Sequence, residues 1–109
     1  MVKLLISPLA RADMREIGDY IRRELRNPDA ALRTVRRFRE AMLPLRDFPH
    51  MGSPLLAAGK QGAPYRYLVC GSYLIFYHAD SAAVHVDRVL YGRRDYLALL
   101  FGDWLTDDE

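Results

Sequence analysis

A chain of 109 residues, 50% hydrophobic and 28% charged, holds enough apolar material for one core and too little length for two, so it reads as a single domain over 1–109. No apolar run approaches the roughly 20 residues of a membrane helix, the N-terminus meets Pro8 and charged residues too soon for a signal peptide, and the one cysteine, Cys70, supports neither an internal disulfide nor a metal cluster. The expectation is a cytoplasmic protein with no cofactor, no metal site and no membrane partner, its thiol buried and inert.

The net charge of +2 is unevenly spread: the acidic tail 102–109, "GDWLTDDE", takes four of the 14 acidic residues and no base, leaving 10 acids against 16 bases, or +6, on residues 1–101. A basic body favours an acidic or phosphate-rich partner.

In chain order, "VKLLIS" predicts a short strand that stops at Ser7, a helix cap, before Pro8 at the first helical position. A first helix follows, with Leu9, Ala10, Ile17, Tyr20, Ile21 and Leu25 near helical spacing. Asn27 before Pro28 repeats the cap-then-proline signal, and Leu32, Val35, Phe38, Met42 and Leu45 form the apolar stripe of a second helix, with a kink or early end at Pro44. The two helices make an antiparallel hairpin. Residues 48–64, "FPHMGSPLLAAGKQGAP", are dense in proline and glycine and read as loop.

Three strands follow, "YRYLVC", "YLIFYHA" and "AVHVDRVLY". Gly71–Ser72 is the spacing of a two-residue turn, which pairs Cys70 with Tyr73 and Arg66 with Tyr77. A turn centred on Asp80–Ser81 pairs Tyr77 with Val84 and Tyr73 with Arg88. One face then displays Arg66, Tyr73, Tyr77 and Arg88 with Leu68, Ile75, Val84 and Val86; the other carries Tyr65, Tyr67, Leu74, Phe76, His78 and His85. After Gly92, "RRDYLALLFGDWL" suggests a short C-terminal helix or docked tail. The fold class is α+β: an N-terminal strand, an α-helical hairpin, a three-strand antiparallel meander and the C-terminal segment, with helices on one face of a mainly antiparallel sheet.

The segments "SPLARADMREIGDYI", "FPHMGSP", "YRYLVCGSYLIFYH" and "DRVLYGRRDYLALLF", taken together in this order and spacing, resemble the RelE/ParE superfamily of bacterial type II toxins, above all its ParE-like branch of plasmid stabilisation proteins. That resemblance implies a toxin neutralised by a cognate ParD-like antitoxin. It also implies one of two targets. RelE-like members cleave mRNA on the ribosome; ParE-like members poison DNA gyrase. The nuclease branch carries an arginine after the aromatic of the central strand, where this chain has Leu74, and its basic loop and C-terminal His or Tyr shrink here to Lys60 and "DWLTDDE". The expectation is therefore gyrase inhibition by a binding protein without catalytic residues. The alternatives are a ribosome-dependent RNA endonuclease using Arg66, Arg94 and Tyr96, and a non-toxic co-repressor that acts with its antitoxin. Direct nucleic-acid binding is expected only within the antitoxin or gyrase complex.

The residues assigned to target or antitoxin binding are Arg66, Tyr73, Arg88, Arg93, Arg94, Tyr96 and Trp104. Arginine suits an acidic or phosphate-rich partner, because its fork matches carboxylates and phosphates, whereas it is a poor proton shuttle. Each has a plainer reading too. Arg66 and Arg88 can lay their stems over aromatic neighbours and pair with Asp87 or Asp95, Arg93 and Arg94 can be a solvated helix start, and Tyr73 and Tyr77 can be core. His50, His78 and His85 read as surface or filler positions without partners at ligand spacing.

Overall fold

The computed structural model describes residues 1–55 and 65–92. They form strand β1 (Lys3–Ile6), helix α1 (Pro8–Arg23), helix α2 (Pro28–Met42), a 3-10 turn (Leu43–Arg46), strand β2 (Ser53–Pro54) and strands β3 (Tyr65–Cys70), β4 (Tyr73–Ala79) and β5 (Ala83–Tyr91). The C-terminal helix or tail of the sequence reading falls outside the described residues.

Both helix starts follow the cap-then-proline logic. The Ser7 hydroxyl accepts from the Ala10 N–H at 2.9 Å, and the Asn27 side chain accepts from the Ala30 N–H at 3.0 Å, each satisfying one donor of an otherwise open first turn. Helix α2 ends at Met42 and tightens into the 3-10 turn at Pro44, as proline's missing N–H and ring require. Its apolar stripe differs from the sequence reading. Ala31, Phe38 and Met42 are buried, while Leu32 is exposed; on α1 the buried positions are Ala10, Asp13 and Ile21, with Leu9 and Tyr20 exposed, as is Leu25 just past its end.

The sheet order is β1-β5-β4-β3-β2. The meander β3-β4-β5 is antiparallel, as expected, and β1 joins it in parallel to β5, with Lys3 opposite Ala83 and Ile6 opposite Val86. The two-residue β2 lies inside what the sequence reads as loop and pairs with β3.

The β3–β4 register is the predicted one, Arg66 opposite Tyr77 and Cys70 opposite Tyr73. Gly71 takes φ +60°, the positive angle that a II′ turn needs at its first central position. The β4–β5 register is corrected: Tyr77 faces Val86 rather than Val84, and Tyr73 faces Tyr91 rather than Arg88. Two things cause this. Asp80 Oδ1 accepts from the N–H groups of Ala82 and Ala83, at 2.8 Å each, so the turn is longer than two residues. A bulge between Phe76 and Tyr77 then inserts one extra residue of β5 and sets Arg88 opposite Phe76.

The helices cover one face of the sheet. Phe38, Met42, Leu45, Ile75, Tyr77, Val84, Val86 and Val89 make the main core with Ala10. Burying a side chain of the size of Phe38, fully inaccessible here, contributes roughly 1.5–3 kcal/mol. The face expected to display Arg66, Tyr73, Tyr77 and Arg88 is thus the covered one. On the opposite face, Leu55, Phe76 and Leu90 form a second apolar cluster flanked by Tyr65, Tyr67 and Leu74.

Candidate functional site

Arg88 is held by the bulge that displaces it. Its Nε and one terminal nitrogen donate to the two carboxylate oxygens of Asp13 on α1, at 2.8 Å each, and Asp13 Oδ2 also accepts the Val89 N–H at 2.9 Å. The side chains are 18% and 8% exposed. The bulge frees a carbonyl as well, that of Asp87, which accepts the Ser7 hydroxyl at 2.9 Å. Asp13 and Ser7 therefore satisfy the groups that the irregular ladder leaves over, and Asp13, its charge-assisted bond first, raises the Arg88 pKa further. The partner is Asp13, not the Asp87 or Asp95 of the sequence reading.

Arg66 is also engaged. One terminal nitrogen donates to the carbonyls of Gly52 at 2.8 Å and His50 at 3.2 Å, clamping the segment before β2 against β3. Gly52 in turn donates its N–H to the Tyr77 hydroxyl at 2.9 Å. A Cβ on Gly52 would lie 2.7 Å from that hydroxyl and 2.8 Å from the Tyr67 carbonyl, so the close approach excludes any larger residue without movement. Burial pushes the Tyr77 phenol up, against the opposing pull of the Gly52 N–H and Arg66.

Tyr73 is half-buried. Its ring meets Phe38 edge-on at 5.3 Å and Tyr91 at 5.8 Å, so it both packs the core and reaches the surface. Cys70 is only partly buried, not fully as expected, and its thiol is pushed up, chiefly by burial, which disfavours the thiolate. Arg93, Arg94, Tyr96 and Trp104 fall outside the described residues.

The histidines hold the arrangement that the sequence reading missed. His78 and His85 face each other across β4 and β5 with rings stacked at 4.7 Å, and Tyr65 meets His78 edge-on at 5.6 Å. His78 Nδ1 lies 2.6 Å from Asp87 Oδ2, and His85 Nε2 lies 2.9 Å from Asp80 Oδ2. An ionised carboxylate only accepts, so each bonded ring nitrogen carries its proton and the other ring nitrogen is left to accept or donate. Burial raises the Asp87 pKa against the pull of His78. Asp80 is exposed and falls to about 2, first through its His85 bond and then through the Ala82 and Ala83 amides. The Tyr65 phenol is raised by burial and by the Asp87 charge. The signal was present: "HAD" and "HVD" repeat one spacing on either side of a turn, and the antiparallel register crosses their partners. Among the described residues no group of three or more His, Cys, Asp or Glu side chains is placed to hold a metal, and no helix is long and apolar enough to cross a membrane.

The sequence matches the family model for the ParE toxin of type II toxin–antitoxin systems, parDE, over residues 4–96. The chain belongs to the ParE toxin family. Its fold agrees with that of a chain from the chromosomal ParDE system of P. aeruginosa, at 20% identity and TM-score 0.69, covering 84% of this chain and 96% of the other. It is also similar to YafQ from E. coli, at 16% identity and TM-score 0.56, covering 94% of this chain and all of that one. A chain of the E. coli DinJ–YafQ toxin–antitoxin complex matches at 12% identity and TM-score 0.52, over 83% and 91% of the two chains. Among curated proteins no sequence matches significantly. The α+β architecture, with two helices on a five-strand mixed sheet, is that of ParE and YafQ, and the chain is a toxin of the type II class.

Proposed function

We propose that this ParE-family toxin acts by binding and inhibiting DNA gyrase and that a ParD-like antitoxin neutralises it in the cytoplasm. The observation that carries the choice of target is the commitment of its strand arginines. A phosphorane needs cationic donors free to turn toward it. Arg88 spends its fork on Asp13 and Arg66 one terminal nitrogen on two carbonyls. Leu74, at the place of the nuclease branch's arginine, packs with the cluster of Leu55, Phe76 and Leu90. Binding is then the task of the residues after β5, with Arg93 and Arg94 as forked donors and Tyr96 and Trp104 as apolar anchors.

An antitoxin has a matching surface on the helical hairpin. A groove of about 520 Å3 runs between α1 and α2, lined by Met14, Leu32 and Val35 together with Arg11, Arg15 and the Arg22–Asp19 pair, which suits an acidic, amphipathic segment that folds on binding. Purified toxin added to gyrase and supercoiled DNA should accumulate linear, gyrase-linked product, and antitoxin should suppress it.

A second reading, ribosome-dependent RNA cleavage, is favoured by the paired His–Asp contacts, since two oriented imidazoles are the components of an acid–base pair. Codon-dependent breaks in a translated message, lost in His78→Gln and His85→Gln, with no linear DNA in the gyrase reaction, would establish it in place of the first. Unchanged growth on induction without antitoxin would support the co-repressor role.

A further inference from the structure

A second pocket lies at the other end of the hairpin, where the last turn of α1 meets the β3–β4 turn and the end of β5. It has a volume of about 530 Å3 and is lined by Glu16, Tyr20, Leu25, Ser72, Tyr73 and Tyr91, among others. Tyr20, Leu25 and Tyr91 are 57%, 58% and 40% exposed, a density of accessible aromatic and apolar surface that a soluble body does not need for its own packing. The Tyr73 ring meets Tyr91 at 5.8 Å, and its phenol is pushed up by burial and then by Tyr91 and Tyr20.

The charge of this pocket is opposite to that of the body around it. Among the described residues its lining holds one carboxylate, Glu16, and no cation, and Glu16 has no hydrogen bond or ion pair among them. Arg88 feels that carboxylate's charge but donates from Nε and one terminal nitrogen to Asp13. A carboxylate unpaired among the described residues, set beside tyrosine rings, is the chemistry that holds a cation: the rings offer their negative faces, the hydroxyls accept, and the carboxylate supplies the counter-charge.

We propose that the Glu16–Tyr20–Tyr73–Tyr91 pocket binds an arginine side chain presented by a partner polypeptide. Arginine fits better than lysine because a flat guanidinium stacks on a ring while its edge donates to a carboxylate, whereas an ammonium does only the second. The site is distinct from the arginine-edged groove between the helices, so one toxin surface takes an acidic segment and another a basic side chain. A partner that carries both is held at two points and gains from the shared tether.

The test uses the full chain, isotope-labelled, titrated with Nα-acetyl-arginine amide and followed by NMR. Saturable shifts should appear at the rings of Tyr20, Tyr73 and Tyr91 and the amide of Ser72. The neutral isostere Nα-acetyl-citrulline amide should bind about tenfold more weakly or less, and Glu16→Gln, an exposed change that keeps the amide spectrum, should weaken the arginine probe by a similar factor. Equal shifts with citrulline, an unaltered response in Glu16→Gln, or shifts confined to other residues overturn the proposal. So do preferential saturation of the pocket by adenosine monophosphate, which would make it a base-stacking site, and concentration-dependent shifts of the same residues without any probe, which would make it a contact between two copies.

Discussion

Removing the Asp13 carboxylate tests how the bulge is held. In Asp13→Ala three donors lose their acceptor at once, Arg88 Nε, its terminal nitrogen and the Val89 N–H, and the guanidinium stays in a site only 18% exposed. Removing one partner of a buried pair costs about 3–5 kcal/mol, a large share of the roughly 5–15 kcal/mol that a domain has in total. The Arg22–Asp19 pair on the same helix has the same 2.8 Å distance, but its side chains are 52% and 43% exposed, and Asp19→Ala should cost no more than about 1 kcal/mol. The double variant Asp13→Leu/Arg88→Met removes both charges and leaves the Val89 N–H unsatisfied, so its loss should fall to about 1–3 kcal/mol. Urea unfolding of the four proteins measures all three differences. The reasoning fails if Asp13→Ala lies within 1 kcal/mol of Asp19→Ala, or if the double variant loses as much stability as Asp13→Ala or more.

Gly52→Ala should lower stability by about 1–3 kcal/mol, because its new methyl meets a backbone oxygen as well as Tyr77, and Tyr77→Phe should cost a similar amount by stranding the Gly52 N–H; a wild-type melting temperature in Gly52→Ala contradicts the packing described. The carboxylates of the histidine cluster should titrate in a fixed order as pH falls, Asp87 above the ordinary value of 3.8 and Asp80 near 2, as read by carboxyl carbon NMR. The lowered Asp80 value contributes stability that is present above pH 4 and lost as pH falls through about 2, while the raised Asp87 value opposes it, its ionised form being the less favourable one in the folded state; the reverse order of titration refutes the assignment of causes. Changing Arg93 and Arg94 together to Ala should abolish toxicity on induction while altering stability by less than about 0.5 kcal/mol, and a folded, fully toxic double variant removes these residues from the target surface.

What was legible in the sequence was whatever is decided locally. Ser7–Pro8 and Asn27–Pro28 mark their helices because capping involves only residues three apart, and Gly71–Ser72 sets the β3–β4 register because a two-residue turn leaves no freedom. The β4–β5 register differs from the sequence reading because the Asp80 side chain widens the turn and because the bulged Arg88 is bound by a carboxylate 75 positions away. Leu32 reads as core from its spacing, yet it lies one residue past the buried Ala31, at an angle that faces the groove instead of the sheet. Arg66 and Arg88 looked available because their acceptors, two carbonyls and a lone aspartate on a helix, leave no pattern in composition. The His–Asp contacts did leave one, in "HAD" and "HVD", and reading it required the corrected register.

The parallel pairing of β1 with β5 sets the order of events at the ribosome. Lys3 waits for Ala83, and the Ser7 hydroxyl waits for the carbonyl of Asp87. The helical hairpin can form from neighbours in sequence, but the first strand has no partner until 80 more residues have been added, about 4–16 s at 5–20 residues per second. Through that interval β1 is an open edge, α1 carries an aspartate whose cation is not yet made, and the core lacks one wall. A chain cut short before β5 therefore lacks a closed sheet, and the described fold is complete only once β5 has been added.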